Sequence, residues 1–365
     1  METEVSPYTQ MPFQFWTVVF FVYGAIAGSF LNVCIHRMPR EMSIVKPRSH
    51  CPECKYSIPA VLNIPIFTWL WLGGKCANCN AAISARYFLV ELLTGVAFMS
   101  CWLAFGDISV GIAIAYSILF GGLIVATFID FEHFIIPDEI TLGGIAAGFI
   151  ASALVPALHG VEKAATGMEQ SFYGIVVGGG LVYAILRLGK LMFGREQLEL
   201  ESGSRVVFSE TDLFLPDEVR SYGEVFYRNS DTIRFRADRL ETVDRCFWDV
   251  DVELSPRRLK IADQVFDPES VHFMEARTSE MILPREAMGL GDVKFMAAIG
   301  AFLGWNAVLF SLMLSAVIGS IIGVTLIVLG KREWSSRLPY GPYIALAAIV
   351  WMFAREDVLG LVLPK

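Results

Sequence analysis

Charge is scarce in this chain. Lys, Arg, Asp and Glu make up 18% of its 365 residues, where soluble proteins carry about a quarter. The opening stretch, "METEVSPYTQMPFQF", has no basic residue. No Arg-rich transit peptide is expected there, and the long first apolar run without a small-residue cleavage site does not read as a cleavable signal. A G-x-S-x-G elbow, an H-E-x-x-H helix and a P-loop are all missing, so those three hydrolase and nucleotide machineries are not expected. A net charge of −8 argues against nucleic acid as a partner.

Apolar residues are abundant instead. They make up 55% of the chain, and the mean hydropathy is +0.53. These values point to an integral membrane protein. A spanning helix needs roughly 20 mainly apolar residues. Runs of that kind lie at 14–35, 87–105, 110–130, 139–158, 171–193, 305–329 and 339–354, with a shorter run at 292–304. The expected fold is a polytopic α-helical membrane protein of about eight transmembrane helices. Glycines recur inside the runs ("VVGGGLVY", "GGIAAGF") and read as close helix packing. The loop after the first run carries Arg37, Arg40, Lys46, Arg48, Lys55, Lys75 and Arg86. This bias predicts that loop in the cytosol and the N-terminus outside.

Two polar stretches interrupt the apolar pattern. The first, 37–86, holds "CPECK" (Cys51, Cys54) and "CANCN" (Cys76, Cys79). Two C-x-x-C pairs at short separation suit a closed, structural zinc knuckle, and cytosolic placement disfavours disulfides. Cys34 and Cys101 lie in apolar runs and read as core; Cys246 is uninformative. The second stretch, 194–285, contains "TIRFRADRL", "FWDVDVEL" and "RRLKIADQVF". Their apolar–polar alternation predicts a small β-rich cytosolic insert, read as an accessory module.

Acidic residues gather at two span ends. "ATFIDFEHFIIPDEITL" places Asp130, Glu132, His133 and Asp138 together, and Asp130 abuts the apolar run most directly. Glu132 and His133 read as a solvated helix end, and Asp138 as a cap on the next helix. "AMGLGDVK" sets Asp292 behind Gly289 and Gly291. By topology both Asp130 and Asp292 face the cytosol. Asp292 reads either as a helix cap or as half of an aspartyl pair, in which one carboxyl keeps a proton while the other acts as base.

These motifs resemble the type IV prepilin peptidases, also called prepilin leader peptidase/N-methyltransferases. The match runs in order through "GSFLNVCIHRMP", "CPEC…CANC" around "NIP", "ARYFLVELLTG", "IDFEHFIIPD", "GLGDVK" and "PYGPYIALA". The resemblance implies a GxGD intramembrane aspartyl protease with Asp130 and Asp292 catalytic and Cys51, Cys54, Cys76 and Cys79 on zinc. It implies removal of the leader from prepilins or pseudopilins at the cytosolic face of the bacterial inner membrane. It also implies methylation of the new N-terminus with S-adenosylmethionine, and partners among pilus or type II secretion components. The expected organisation is a first helix at 1–36 and a zinc module at 37–86, which with 28–36 forms the methyltransferase region. Helices at 87–193, the insert at 194–285, and the GxGD motif with the last helices at 286–365 follow. The insert departs from the family pattern. Two alternatives are a non-catalytic assembly factor docking through the insert and a proton-coupled transporter. The intact aspartates and cysteines argue against the first, and the shortage of charges deep in the spans against the second.

Overall fold

The computed structural model describes residues 12–226, 229, 231–271, 273–284, 289–330 and 338–362. The chain divides into two compact units, Met1–Tyr183 with Leu290–Lys365, and Ala184–Gly289.

The first unit is helical. Its elements are α1 (Phe13–Arg37), the short α2 (Phe67–Trp71), α3 (Ala85–Phe105), α4 (Val110–His133), α5 (Asp138–Leu154) and α6 (Ala164–Phe193). After the β unit, with its short α7 (Tyr222–Val225), come α8 (Leu290–Leu303), α9 (Trp305–Val328) and α10 (Gly341–Val362). Among the described residues, five helices are long and apolar enough to cross a membrane: α1, α3, α4, α6 and α9. The other three of the eight predicted spans differ in kind. Helix α5 has 17 residues and α8 has 14, or about 25 and 21 Å at 1.5 Å per residue, short of a hydrocarbon core of about 30 Å. Helix α10 has a non-helical residue at Ala354, followed by the exposed Arg355 and Glu356.

Helix α8 is short because it is central. Every residue from Phe295 to Leu303 is buried. Its neighbours reach it through glycines. A Cβ on Gly148 of α5 would lie 2.7 Å from the Ala301 Cβ, and one on Gly178 of α6 would lie 2.6 Å from the Met296 carbonyl oxygen. Gly174 and Gly300 meet backbone to backbone. Gly144 with Gly148, and Gly174 with Gly178, are small residues four apart on one helix face, the spacing that lets membrane helices close up. Gly304, at φ +81°, then turns the chain into α9 in a conformation that residues with a Cβ rarely adopt.

The second unit holds the predicted β-rich insert as a single antiparallel sheet. Its strands are β1 (Arg195–Phe208), β2 (Asp212–Phe214), β3 (Val219–Ser221), β4 (Ile233–Thr242), β5 (Cys246–Ser255), β6 (Arg258–Ile261), β7 (Gln264–Phe266) and β8 (Met274–Pro284). The spatial order is β3-β2-β1-β8-β4-β5-β6-β7. First and last strands are neighbours, with Arg195 opposite Pro284, so the unit begins and ends at one point. On β4, Ile233, Phe235 and Ala237 are buried while Arg234, Arg236 and Asp238 are exposed. The inward residues join Val206, Leu213, Val252, Leu259 and Met281 in one core.

Candidate functional site

The cysteine module is built from two matching turns. Lys55 N–H donates to the Cys51 carbonyl and Asn80 N–H to the Cys76 carbonyl, each at 3.0 Å. Lys55 and Asn80, one residue past each C-x-x-C, both have φ +57°. Cys51 N–H and Cys76 N–H close the turns onto the Tyr56 and Ala81 carbonyls at 3.0 and 2.9 Å. The turns face each other: Cys51 Sγ lies 3.8 Å from Cys79 Sγ, and Cys54 Sγ lies 3.9 Å from Cys76 Sγ. A disulfide needs about 2.05 Å, so these are free thiols. Four metal–sulfur bonds of about 2.3 Å in a tetrahedron put sulfurs about 3.8 Å apart. The Cys54 thiol is pulled down to about 6, first by the Asn78 side chain and next by the Tyr56 backbone, which gives it the thiolate character of a metal ligand. The four sulfurs lie within 4.8 Å of one another and could hold a metal ion.

Two quoted motifs meet where this module joins the helices. The turn following "NIP" sets Ile66 at φ +64°, and its N–H donates to Glu91 Oε2 of α3 at 2.7 Å. Asn32 of α1 is buried and donates from Nδ2 to the Tyr87 carbonyl at 3.0 Å.

The acidic residues sort themselves by partner. Glu132 pairs with Arg86, and His133 Nε2 lies 4.0 Å from Glu132 Oε2. Both are helix-end residues, as expected. Pro137 takes the cap position of α5, and Asp138 is the first residue inside the helix. It pairs instead with Lys294 Nζ of α8, at 2.6 and 2.9 Å. Asp130 differs from all of these. It is 5% exposed, in the last turn of α4, and Oδ2 accepts the Gly341 N–H at 2.8 Å. A Cβ on Gly341 would lie 2.9 Å from that same oxygen, so the residue there has to be glycine for the backbone to come this close.

Asp292 sits half-buried in the first turn of α8, inside the helix rather than at a cap position. The positive end of the helix dipole favours a carboxylate there. Ile136 ties the parts together. A Cβ on Gly291 would lie 3.3 Å from Ile136 Cβ, and one on Gly341 3.2 Å from Ile136 Cδ1. Tyr340 precedes the glycine that holds Asp130, and its hydroxyl lies 3.0 Å from Ser315 Oγ of α9. Gly291, which precedes Asp292, and Gly341, which holds Asp130, therefore pack on the same residue, Ile136, between α4 and α5. Gly341 and Ile136 stand in the motifs "PYGPYIALA" and "IDFEHFIIPD", but no local pattern gives either a role.

Comparison with known proteins agrees with these motifs. The model of the bacterial peptidase A24 N-terminal domain matches residues 22–105. That of the type IV leader peptidase family matches 117–196 and 270–324, and its break falls within the β unit. A prepilin leader peptidase/N-methyltransferase of Aeromonas salmonicida (strain A449) is 27% identical over 369 residues, covering 93% of this chain and 92% of that protein. One of Dichelobacter nodosus is 36% identical over 210 residues, or 49% of this chain and 69% of its own length. The type 4 prepilin-like proteins leader peptide-processing enzyme of Escherichia coli O78:H11 (strain H10407 / ETEC) is 35% identical over 195 residues, 48% and 69% of the two chains. No solved structure matches. Matched over residues 22–105, 117–196 and 270–324, the chain belongs to the type IV leader peptidase family.

Proposed function

We propose that this protein is a multi-pass enzyme of the bacterial inner membrane that cleaves the leader from prepilins or pseudopilins at the cytosolic face. Asp130 and Asp292 are its catalytic pair. One carboxyl holds a proton while the other takes a proton from water as the oxygen attacks the scissile carbonyl. The carbon–nitrogen bond then breaks, and the amine leaves with a proton from the pair. The observation that carries this reading is the treatment of Asp130. A carboxylate in a spanning helix is costly and marks function; this one is buried and accepts the N–H of Gly341, which packs on the same Ile136 as Gly291, the residue before Asp292.

The relatives' names add a second activity, methylation of the new N-terminal amine. S-adenosylmethionine would supply the methyl group, and the region 28–86 is assigned to this step. Cys51, Cys54, Cys76 and Cys79 would hold one zinc ion, whose closed four-sulfur shell makes it structural. The basic loop 37–86 supports an N-terminus outside, and pilus or type II secretion components are the proposed assembly context.

The test is a prepilin peptide incubated with the purified enzyme in detergent, with products read by mass spectrometry. Asp130→Asn and Asp292→Asn should each lower cleavage by about 1,000-fold or more in protein that still inserts. Near wild-type processing by either variant rejects the pair.

A further inference from the structure

Between its two cysteine pairs the chain runs "VLNIPIFTWLWLGG", with two tryptophans and a phenylalanine in the five residues of α2. One face of this helix is apolar and exposed. Phe67, Leu70 and Trp71 fall at i, i+3 and i+4, on one side of a helix, and are 54, 58 and 74% exposed. The Phe67 and Trp71 rings lie against each other, centroids 5.4 Å apart. Val61 and Ile64, just ahead of the helix, are exposed as well. A contiguous apolar patch of this kind marks an interaction surface.

The other side of α2 is pinned to α3. Phe67 N–H donates to the Pro65 carbonyl at 2.6 Å around Ile66 at φ +64° and ψ −56°. This is a γ-turn of the rare, strained kind, and Glu91 Oε2 holds it by accepting the Ile66 N–H. Trp69 stacks on Phe88 of α3, centroids 5.0 Å apart. Phe88 and Glu91 lie three and six residues past Ala85, where α3 begins, or about 4.5 and 9 Å along its axis. The 21 residues of α3 make about 31 Å, against a hydrocarbon core of about 30 Å, so the span begins at the edge of the core. Its own outward residues at this level, Leu89 and Leu93, are exposed, as a lipid-facing surface is. Surface-lying helices bury Trp, Phe and Leu about 5–10 Å into the headgroup–acyl boundary. That is the depth at which α3 holds α2.

We infer that α2 is an interfacial anchor: Phe67, Leu70 and Trp71 enter the headgroup–acyl boundary of the bilayer and seat the cysteine module on the membrane surface. Lipid, continuous with the outward face of α3, is the partner. The anchor depends on α3 spanning the bilayer and on neither proposed reaction. Trp71 suits the place, since an indole puts its apolar body among the chains and its N–H toward the headgroups.

The experiment uses full-length protein in phosphatidylcholine vesicles, with and without bromine on the lipid chains near the headgroup, where bromine quenches indole fluorescence by contact. Subtracting the spectrum of Trp71→Phe, which keeps an aromatic ring, from that of the wild type isolates the emission of Trp71. This emission should fall about twofold or more in the brominated vesicles, and aqueous acrylamide should quench it little. An emission untouched by bromine and quenched by acrylamide puts the face in water and overturns the inference. An emission reached by neither quencher means that protein covers the face, a second copy or another chain, and overturns it equally. Should Trp71→Phe fail to accumulate in the membrane, Phe67→Trp decides by the same criterion, because it adds a reporter on the same face: an added emission quenched by bromine supports the anchor, and one that bromine leaves untouched rejects it.

Discussion

The two units treat charge in opposite ways. On the exposed face of the sheet, charges are plentiful and pair across neighbouring strands. Arg236 holds Asp249 at 2.8 and 3.0 Å, Arg234 lies 3.2 Å from Glu253, and Arg205 lies 2.7 Å from Glu275. Such pairs are screened by water and contribute little to stability; they make a soluble surface. In the helical unit carboxylates are few, and several are held by one specific partner: Asp130 by Gly341 N–H, Glu91 by Ile66 N–H, Asp138 by Lys294. Desolvating a carboxylate among apolar helices is expensive, so the buried Asp130 marks a task of position or chemistry. The contrast teaches that charge density alone misleads about function. The proposed chemistry sits where charge is rarest.

The sharpest way to break this comparison is to disturb the frame and leave the charges alone. Gly178→Leu would drive a side chain into the Met296 carbonyl and displace α8. A misplacement of about 1 Å at a catalytic group costs on the order of 100-fold, so leader cleavage should fall by that much. Activity retained within a few-fold would mean that the glycine contacts do not position Asp292.

The cysteine module tests whether the two proposed activities separate. Cys76→Ser should abolish metal stoichiometry, measured by elemental analysis of purified protein, and should expose the 37–86 loop to protease, because metal binding in small modules is folding energy. Methylation of a pre-cleaved peptide should drop about tenfold or more, and cleavage by less, as both aspartates lie outside the loop. Equal loss of both activities would tie the module to the aspartyl site.

The sheet offers the complementary test. Ile233 is fully buried in the β core, and Ile233→Ala should cost that unit about 2–5 kcal/mol, read as a lower melting transition. Cleavage measured below that transition should stay within about twofold, since the sheet has its own core. Joining Gly194 to Glu286 through a flexible linker should likewise spare peptide-bond chemistry while changing rate or substrate preference. A stable, inserted protein of this kind that cleaves nothing would make the β unit part of the catalytic machinery. The smallest effect is expected at Glu132, whose partner Arg86 is itself partly exposed. Glu132→Gln should leave cleavage within about threefold, and a larger loss would move the catalytic carboxylate from Asp130 toward its neighbour.

The sequence by itself determined what local pattern can carry. Period-2 alternation in "TIRFRADRL" marked a half-buried strand, and Ile233, Phe235 and Ala237 do face inward. Long apolar runs marked the membrane helices, and the C-x-x-C spacing brought Cys51, Cys54, Cys76 and Cys79 together. These are properties of short windows, set by the 3.6 and 2.0 residue periods and by turn chemistry. Only the tertiary structure decided the rest. The run 292–304 reads as a half-span or a tightly packed short helix, and only the structure shows the second, with glycines on α5 and α6 closing around it. Nor could alternation reveal that β1 and β8 pair, which lets a whole sheet enter and leave the chain at one point. The bond from Gly341 to Asp130 joins residues 211 positions apart. No local pattern specifies such a contact; it exists because helices packed at backbone distance carry both groups to one place.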